Sequence, residues 1–159
     1  MKTITQFLLE SSLNLRELEP QVIDKFSNGE DFFINTSYNE KVFKPFLMHI
    51  GKKYKFDGGI LFLDLTKAEP EDLAGIPIKS GETALPHWAK VLADNSNKKY
   101  IFVIDLSNTS NNVMNALMPI VLDHKVCGKK LDNYIIAAFG DSSKLVKPLQ
   151  SKFNPIIEV

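Results

Sequence analysis

Five short runs of apolar residues constrain the fold of this chain more than any other feature. Within most of them the apolar residues are continuous and do not alternate with polar ones, which is typical of strands buried on both faces of a parallel sheet. The runs are Phe32–Ile34, Ile60–Leu65, Tyr100–Leu106, Tyr134–Phe139 and Ile156–Val159. The sequence therefore predicts a five-stranded, mainly parallel sheet.

Segments with the apolar spacing of helices lie between these runs. They are 41–53, 83–94, 111–123 and 142–152. Pro119 and Pro148 predict a kink or an early end in the last two helices. Because strands and helices alternate, and such crossovers are right-handed, we expect a three-layer α/β sandwich.

The first thirty residues differ in pattern from the rest of the chain. They predict two small helices, over Thr5–Leu13 and Leu15–Phe26, that end at Asn28-Gly29. We therefore divide the chain into an N-terminal helical extension, 1–30, and an α/β core, 31–159. A chain of 159 residues has the usual size of a single domain.

Charge and cysteine content exclude several classes of partner. Basic and acidic residues both total 19, so no net field attracts the chain to nucleic acid or to an anionic membrane. Cys127 is the only cysteine, and no signal peptide or membrane-spanning run is present, which favours the cytoplasm. His124 lies close to Cys127, but two ligands do not make a zinc site, and we expect no metal.

The long connection from Thr66 to Lys99 is the best candidate for a functional loop, because such connections in compact domains are usually functional or disordered. It contains the only tryptophan, Trp88. Two interpretations of Trp88 stay open: a core anchor of a helix, or an aromatic hot spot for a partner.

Several motifs, in order along about residues 30–159, resemble a MoxR-type AAA+ ATPase core. They are Leu63–Leu65, Ala68–Pro77, Leu85–Trp88, Ile104–Asp105, Asn115–Leu117, His124–Val126, Ile136–Ala138, Leu149–Phe153 and Ile157–Val159. The resemblance implies a P-loop NTPase-like sheet with strand order 5-1-4-3-2. It also implies that the helical lid of the family is missing after Val159.

The segment that matches the phosphate-binding loop keeps only Lys41 of the residues that bind nucleotide. Asn35 and Glu40 stand where glycines let backbone N–H groups surround the phosphates, and Val42 replaces the hydroxyl that holds Mg²⁺. Pro45 predicts that the following helix is delayed or disturbed.

The other nucleotide-binding positions are also changed. Asp105 matches the Walker B aspartate, but Leu106 stands where the family has its catalytic glutamate; Asp105 alternatively caps a nearby loop. The sensor position is Phe139–Asp141, and Lys152 replaces the arginine finger. Arg16, the only arginine, lies in the N-terminal extension.

These changes predict an enzymatically inactive AAA+-like module with no catalytic residue and no cofactor. Lys41, Asp105 and Lys152 are then remnants, and function lies in protein contacts, with Trp88, His87 and Asp72 as candidates. The partner is an AAA+ chaperone or protease that the module regulates or inhibits, or a second copy. The alternative is a residual NTP-binding or ATPase subunit completed by a partner. The predominance of lysine over arginine is typical of an AT-rich genome and suits a bacteriophage.

Overall fold

A five-stranded parallel sheet forms the centre of the computed structural model, which describes residues 4–38, 40–65, 68–77, 83–107 and 109–159. The strands are β1 (Phe32–Asn35), β2 (Gly59–Asp64), β3 (Tyr100–Asp105), β4 (Tyr134–Gly140) and β5 (Ile157–Glu158). Their spatial order is β2-β3-β4-β1-β5, and every neighbouring pair is parallel. The predicted fold class and the strand order 5-1-4-3-2 are confirmed.

Helices cover both faces of this sheet. They are α1 (Ile4–Asn28), α2 (Glu40–Lys53), α3 (Pro70–Ala74), α4 (His87–Asp94), α5 (Asn111–Asp123) and α6 (Lys147–Lys152), with a 3₁₀ turn at Ser142–Lys144. α1 and α2 pack on one face, and α3 to α6 pack on the other. Two short antiparallel strand pairs complete the described structure: Ile76–Pro77 with Thr83–Ala84, and Lys125–Val126 with Lys129–Lys130.

The core consists of two clusters separated by the sheet. Along β3, Ile101 and Val103 join the cluster under α1 and α2, while Phe102 and Ile104 join the cluster under α3 to α6. All four side chains are buried. Burial on both faces explains why the central strands read as continuous apolar runs.

The prediction of two N-terminal helices is wrong, because α1 is a single helix from Ile4 to Asn28. Asn14, at the predicted break, is only a weak helix former, and such a residue lowers helix stability by a few tenths of a kcal/mol. In the second half of the helix, Leu18, Val22 and Phe26 recur every fourth residue and are buried. Their burial stabilises the helix although Pro20 lies inside it.

Two other helix boundaries also differ from the sequence predictions. The helix expected from Thr83 begins at His87, because Thr83–Ala84 pairs with Ile76–Pro77. The helix expected over 142–152 is divided into the 3₁₀ turn and α6, and Pro148 lies in the first turn of α6, where its missing N–H has no partner to lose. The helix predicted over 111–123 is confirmed with the same bounds: α5 does not end early at Pro119, and Ile120 and Val121 are buried beyond the proline.

Candidate functional site at the carboxyl edge of the sheet

Parallel strands all end at one edge of their sheet, and open α/β sheets bind ligands beyond that edge. A cleft of about 390 Å³ lies there, close to the ends of β1 and β4. Its lining comprises Asn35, Thr36, Ser37, Ser107, Asp141 and Val159. The connection between β1 and α2, which matches a phosphate-binding loop in position, begins in this cleft.

Asn35, at the end of β1, is hydrogen-bonded within its own chain. Its Nδ2 donates a hydrogen bond to Glu158 Oε2 at 2.7 Å, and its Oδ1 accepts one from the backbone N–H of Ser142 at 2.9 Å. Its backbone oxygen accepts a hydrogen bond from Val159 N at 3.2 Å. Asn35 thus ties β1 to β5 and to the 3₁₀ turn at the position where a phosphate-binding loop would have an open glycine backbone.

The helix that follows this connection, α2, begins at Glu40, so the predicted delay caused by Pro45 is wrong. Pro45 is exposed, and the helix continues to Lys53 with Phe43 and Leu47 buried. Burial of the apolar face keeps the helix intact where one backbone hydrogen bond is lost. Lys41 is exposed in the first turn, beside a glutamate that begins the helix.

Asp105 ends β3 in a loop-capping geometry. Its Oδ1 accepts a hydrogen bond from the backbone N–H of Ser107 at 2.9 Å, as the loop-capping alternative predicts. Leu106 is 2% exposed, and its backbone N–H donates to Phe139 O. The position after Asp105 therefore packs into the core and offers no carboxylate to a ligand.

The turn after β4 brings another carboxylate to the same edge. Asp141 Oδ1 accepts hydrogen bonds from Ser143 Oγ at 2.6 Å and from Ser143 N at 2.9 Å. These hydrogen bonds lower the pKa of Asp141 below its ordinary value. Gly140, which precedes it, has φ 145° and accepts a hydrogen bond from Thr36 N, so that β4 and the loop after β1 are held together.

The electrostatics of this edge are unfavourable for a polyphosphate. Asp105, Asp141 and Glu158 follow or end three of the strands, and Glu40 begins α2. Asp141 lines the cleft, so an anion bound there would be repelled by its carboxylate. Sequence analysis singled out Asn35, Glu40, Asp105 and Asp141 separately but missed Glu158. The only signal for Glu158 in the sequence was that a charged residue stands within the last apolar run.

Lys152 does not join Lys41 and Asp105 at this edge. Its Nζ lies 3.5 Å from Asp31 Oδ2, just before the start of β1 and therefore at the opposite, amino edge of the sheet. The Asp31 side chain is 4% exposed and also contacts His124 Nε2 at 2.6 Å.

The three candidate interaction residues lie together at α3 and the start of α4. Trp88 is half-buried: its Nε1 donates to Asp72 O at 2.9 Å, and its ring meets Phe102 edge-on with 5.0 Å between centroids. Trp88 thus links α3 to α4 and to the sheet, in the arrangement of a core anchor. Asp72 and His87 are exposed beside it, and their role in binding stays a prediction.

No group of three or more His, Cys, Asp or Glu side chains in the described part of the chain is arranged to hold a metal ion. No helix in the described ranges has the length and apolar character needed to cross a bilayer.

Comparison with solved structures identifies the fold. A RuvB mutant from Thermotoga maritima superposes with a TM-score of 0.56 at 15% identity, NtrX from Brucella abortus with 0.60 at 12%, and Drosophila ORC bound to AT-rich DNA and Cdc6 with 0.55 at 12%. The fold is therefore P-loop NTPase-like, as in these neighbours. The matches cover 92%, 100% and 91% of this chain but only 44%, 36% and 53% of those chains. The chain thus spans about half or less of the length of each neighbour. No family model and no curated protein matches the sequence.

Proposed function

We propose that this chain is a catalytically inactive AAA+-like module, degenerate from a MoxR-type core, that acts by binding another protein. The observation that carries the proposal is the hydrogen bonding of the Asn35 side chain. This side chain bonds to Glu158 and to Ser142 N where nucleotide binding needs a glycine backbone open to phosphate. The carboxylates around it add repulsion toward ATP.

We also infer that the position after Asp105 supplies no base for hydrolysis. Activation of water needs a carboxylate or another general base within hydrogen-bond reach of it. Leu106 occupies the position of the family's glutamate and is buried, while Asp105 is engaged by Ser107 N. These contacts support the proposal that the chain keeps the fold but no longer hydrolyses ATP.

Thermal unfolding with ATP and Mg²⁺ tests the proposal. A ligand present at a hundredfold excess over its Kd stabilises the folded state by about 2.7 kcal/mol. We expect no rise in melting temperature at millimolar ATP, with the wild type, Lys41→Ala and Lys53→Ala behaving alike. Lys53 is the matched control, because it is an exposed lysine at the other end of α2.

The alternative is a residual nucleotide-binding subunit completed by a partner. It is favoured by the placement of Lys41 in the first turn of α2 and of Asp105 at the carboxyl edge of the same sheet. An ATP-dependent rise in melting temperature that disappears in Lys41→Ala and persists in Lys53→Ala would replace our proposal with this one.

The partner-binding surface that we propose comprises α3 and the start of α4, with an AAA+ machine as the partner that the module regulates or inhibits. Asp72 and His87 are exposed there, beside Trp88. We expect His87→Ala to lower the amount of partner retained from an extract of the native host without changing the melting temperature. His49→Ala, an exposed histidine on α2 across the sheet, is the control. Equal retention by both variants would place the surface elsewhere.

A further inference from the structure

Four exposed lysines lie together at the amino edge of the sheet, opposite the candidate site. They line two adjoining clefts of about 500 and 530 Å³, and Lys130 and Asp132 line both. One lysine precedes β3, and three belong to the antiparallel pair at residues 125–130, which we call the lysine hairpin: Lys99, Lys125, Lys129 and Lys130. Among the described residues, none of the four forms an ion pair, whereas Lys152 pairs with a buried aspartate.

A tight turn anchored to the core holds the lysine hairpin in place. Cys127 and Gly128 have φ of 53° and 78°, and two successive residues with positive φ are typical of the type I′ turn of a two-residue hairpin. Val126 is buried, and Leu131 N donates a hydrogen bond to His124 O at 2.9 Å. The hairpin is therefore fixed at its base, and its lysines project from a defined backbone.

The pairing within the lysine hairpin brings like charges together. Lys125 lies directly opposite Lys130 in the register, and like charges at directly opposite positions destabilise a strand pair. The carboxylates close by do not neutralise them. Asp123 and Asp132 line the clefts but form no ion pair among the described residues. An anionic ligand would therefore stabilise this arrangement.

The formal net charge of zero does not describe this surface. The carboxylates of the candidate site follow or end strands at the carboxyl edge, and the four lysines lie at the opposite edge. Such a separation of charge gives one side of a neutral molecule a positive potential and turns that side toward a polyanion.

The lining of the two clefts favours phosphate groups over a protein partner. Among the described lining residues, no apolar side chain is exposed: Leu92, Leu131 and Tyr134 are buried, and Ala93 and Leu122 are half-buried. The exposed apolar and aromatic anchors that dominate protein interfaces, or that stack on the bases of single strands, are therefore missing from this lining. Ser96 and Asn97 are exposed in the first cleft, and hydroxyl and amide groups commonly donate to phosphate oxygens beside lysine.

We propose that the lysine hairpin and Lys99 bind the phosphate backbone of duplex DNA without reading its sequence. Duplex DNA carries one negative charge for about every 1.7 Å of its axis, and lysines that neutralise phosphates release the counterions condensed on them. This surface is separate from the one at α3 and α4, and the inference goes beyond the proposed protein-binding role without depending on it.

Fluorescence anisotropy with a labelled duplex of about 20 base pairs tests the proposal. At about 50 mM salt we expect a Kd in the range of non-specific binding, about 10⁻⁴ to 10⁻⁶ M. Contacts from four lysines to phosphates should lower the affinity about 100-fold between about 50 and 200 mM salt. A duplex of the same length and unrelated sequence should bind equally. No binding at about 50 mM salt and millimolar protein, or a strong preference for one sequence, would overturn the proposal.

A matched pair of double variants locates the surface. Lys129→Gln/Lys130→Gln should weaken binding at least tenfold and reduce the salt slope by about 2, because two phosphate contacts are lost. Lys144→Gln/Lys147→Gln removes the same charge from exposed positions after β4, near the carboxyl edge, and should change the affinity less than twofold. The melting temperature should stay the same in both variants, since all four positions are exposed. Equal weakening by the two variants would show that net charge and not the hairpin determines binding, and would refute the proposal.

Competition with polyglutamate distinguishes DNA from an acidic protein segment. We expect the duplex to stay bound when polyglutamate is added at an equal concentration of charge, because its flexible chain has a lower charge density than the duplex and releases fewer condensed counterions. Displacement of the duplex under these conditions would replace the proposal with an acidic protein partner.

Discussion

Gly140 shows how one residue shapes the candidate site. Its φ of 145° lies in a region that residues with a side chain rarely adopt. A Cβ at this position would approach Leu106 C and Ser107 N to 3.1 Å. The turn after β4 and the loop after β3 can therefore meet only because this residue has no side chain.

We expect Gly140→Ala to destabilise the fold by about 2 to 4 kcal/mol, since backbone strain and a steric contact with another loop act together. Gly29→Ala is the matched control, because φ is 65° and nothing lies within 4 Å of the added carbon. Only left-handed backbone strain should act there, and it should lower the free energy of unfolding by about 1 to 2 kcal/mol. Urea unfolding measures both. Equal losses in the two variants would show that the close approach is unimportant.

Tyr134 is a buried ionisable residue that makes stability depend on pH. Its hydroxyl donates to Ile120 O at 2.9 Å, and its ring stacks on His124 with 4.2 Å between centroids. Burial, with smaller contributions from Asp31 and Asp132, raises the pKa of Tyr134 well above its ordinary value. The folded state therefore holds the phenolic proton at a pH where the unfolded state releases it.

The stabilisation from neutral Tyr134 is complete below the unfolded pKa of about 10 and declines as pH rises above it, by up to about 1.4 kcal/mol per pH unit. Tyr134→Phe should be less stable than the wild type at pH 8, because Ile120 O loses its donor. The difference should shrink or reverse by pH 11. Urea unfolding between pH 8 and 11 measures it, and a constant difference over that range would contradict the prediction.

At the scale of elements, prolines act according to their position in a helix. Pro45 lies inside α2, beyond the first turn, whereas Pro148 lies in the first turn of α6. A proline in a helix interior removes a backbone hydrogen bond and crowds the preceding turn, but in the first turn the missing N–H has no helical partner. The same residue is therefore unfavourable in one helix and suitable in the other.

We expect Pro45→Ala to stabilise the protein by about 1 to 3 kcal/mol, because Pro45 is exposed and alanine restores the hydrogen bond without new contacts. Pro148→Ala, also at an exposed position, should leave stability unchanged or lower it slightly. Thermal unfolding compares the two variants. Similar gains in both would indicate that the distinction between interior and first turn does not apply here.

At the scale of the whole molecule, the second half of α1 belongs to the core of the α/β sandwich. Phe26 is 4% exposed, and its ring meets Phe56 edge-on with 5.0 Å between centroids and lies 6.0 Å from Phe32. These contacts join the helix to the first strand and to the segment before β2. The division at residue 30 stays a prediction, but we do not expect the core to be stable without α1.

Phe26→Ala should lower the free energy of unfolding by about 3 to 5 kcal/mol, the usual effect of removing a buried aromatic ring. Ser27→Ala, at the next and exposed position, should change it by less than about 0.5 kcal/mol. Chemical unfolding measures both. A loss below about 1 kcal/mol in Phe26→Ala would show that α1 is a dispensable extension.

The sequence by itself determined the sheet and most of the helices, because short continuous apolar runs alternate with segments of helical spacing. Only the tertiary structure decided which side chains meet at the candidate site. The partners of Asn35, Glu158 and Ser142, lie 123 and 107 residues away along the chain, and no local pattern reports such contacts. Lys152 meets Asp31 rather than the candidate site for the same reason. The apolar pattern of Ile60–Leu63 is typical of a central strand, yet these residues are only half-buried. The reason is strand order, because β2 lies at the edge of the five-stranded sheet and pairs there with β3 alone.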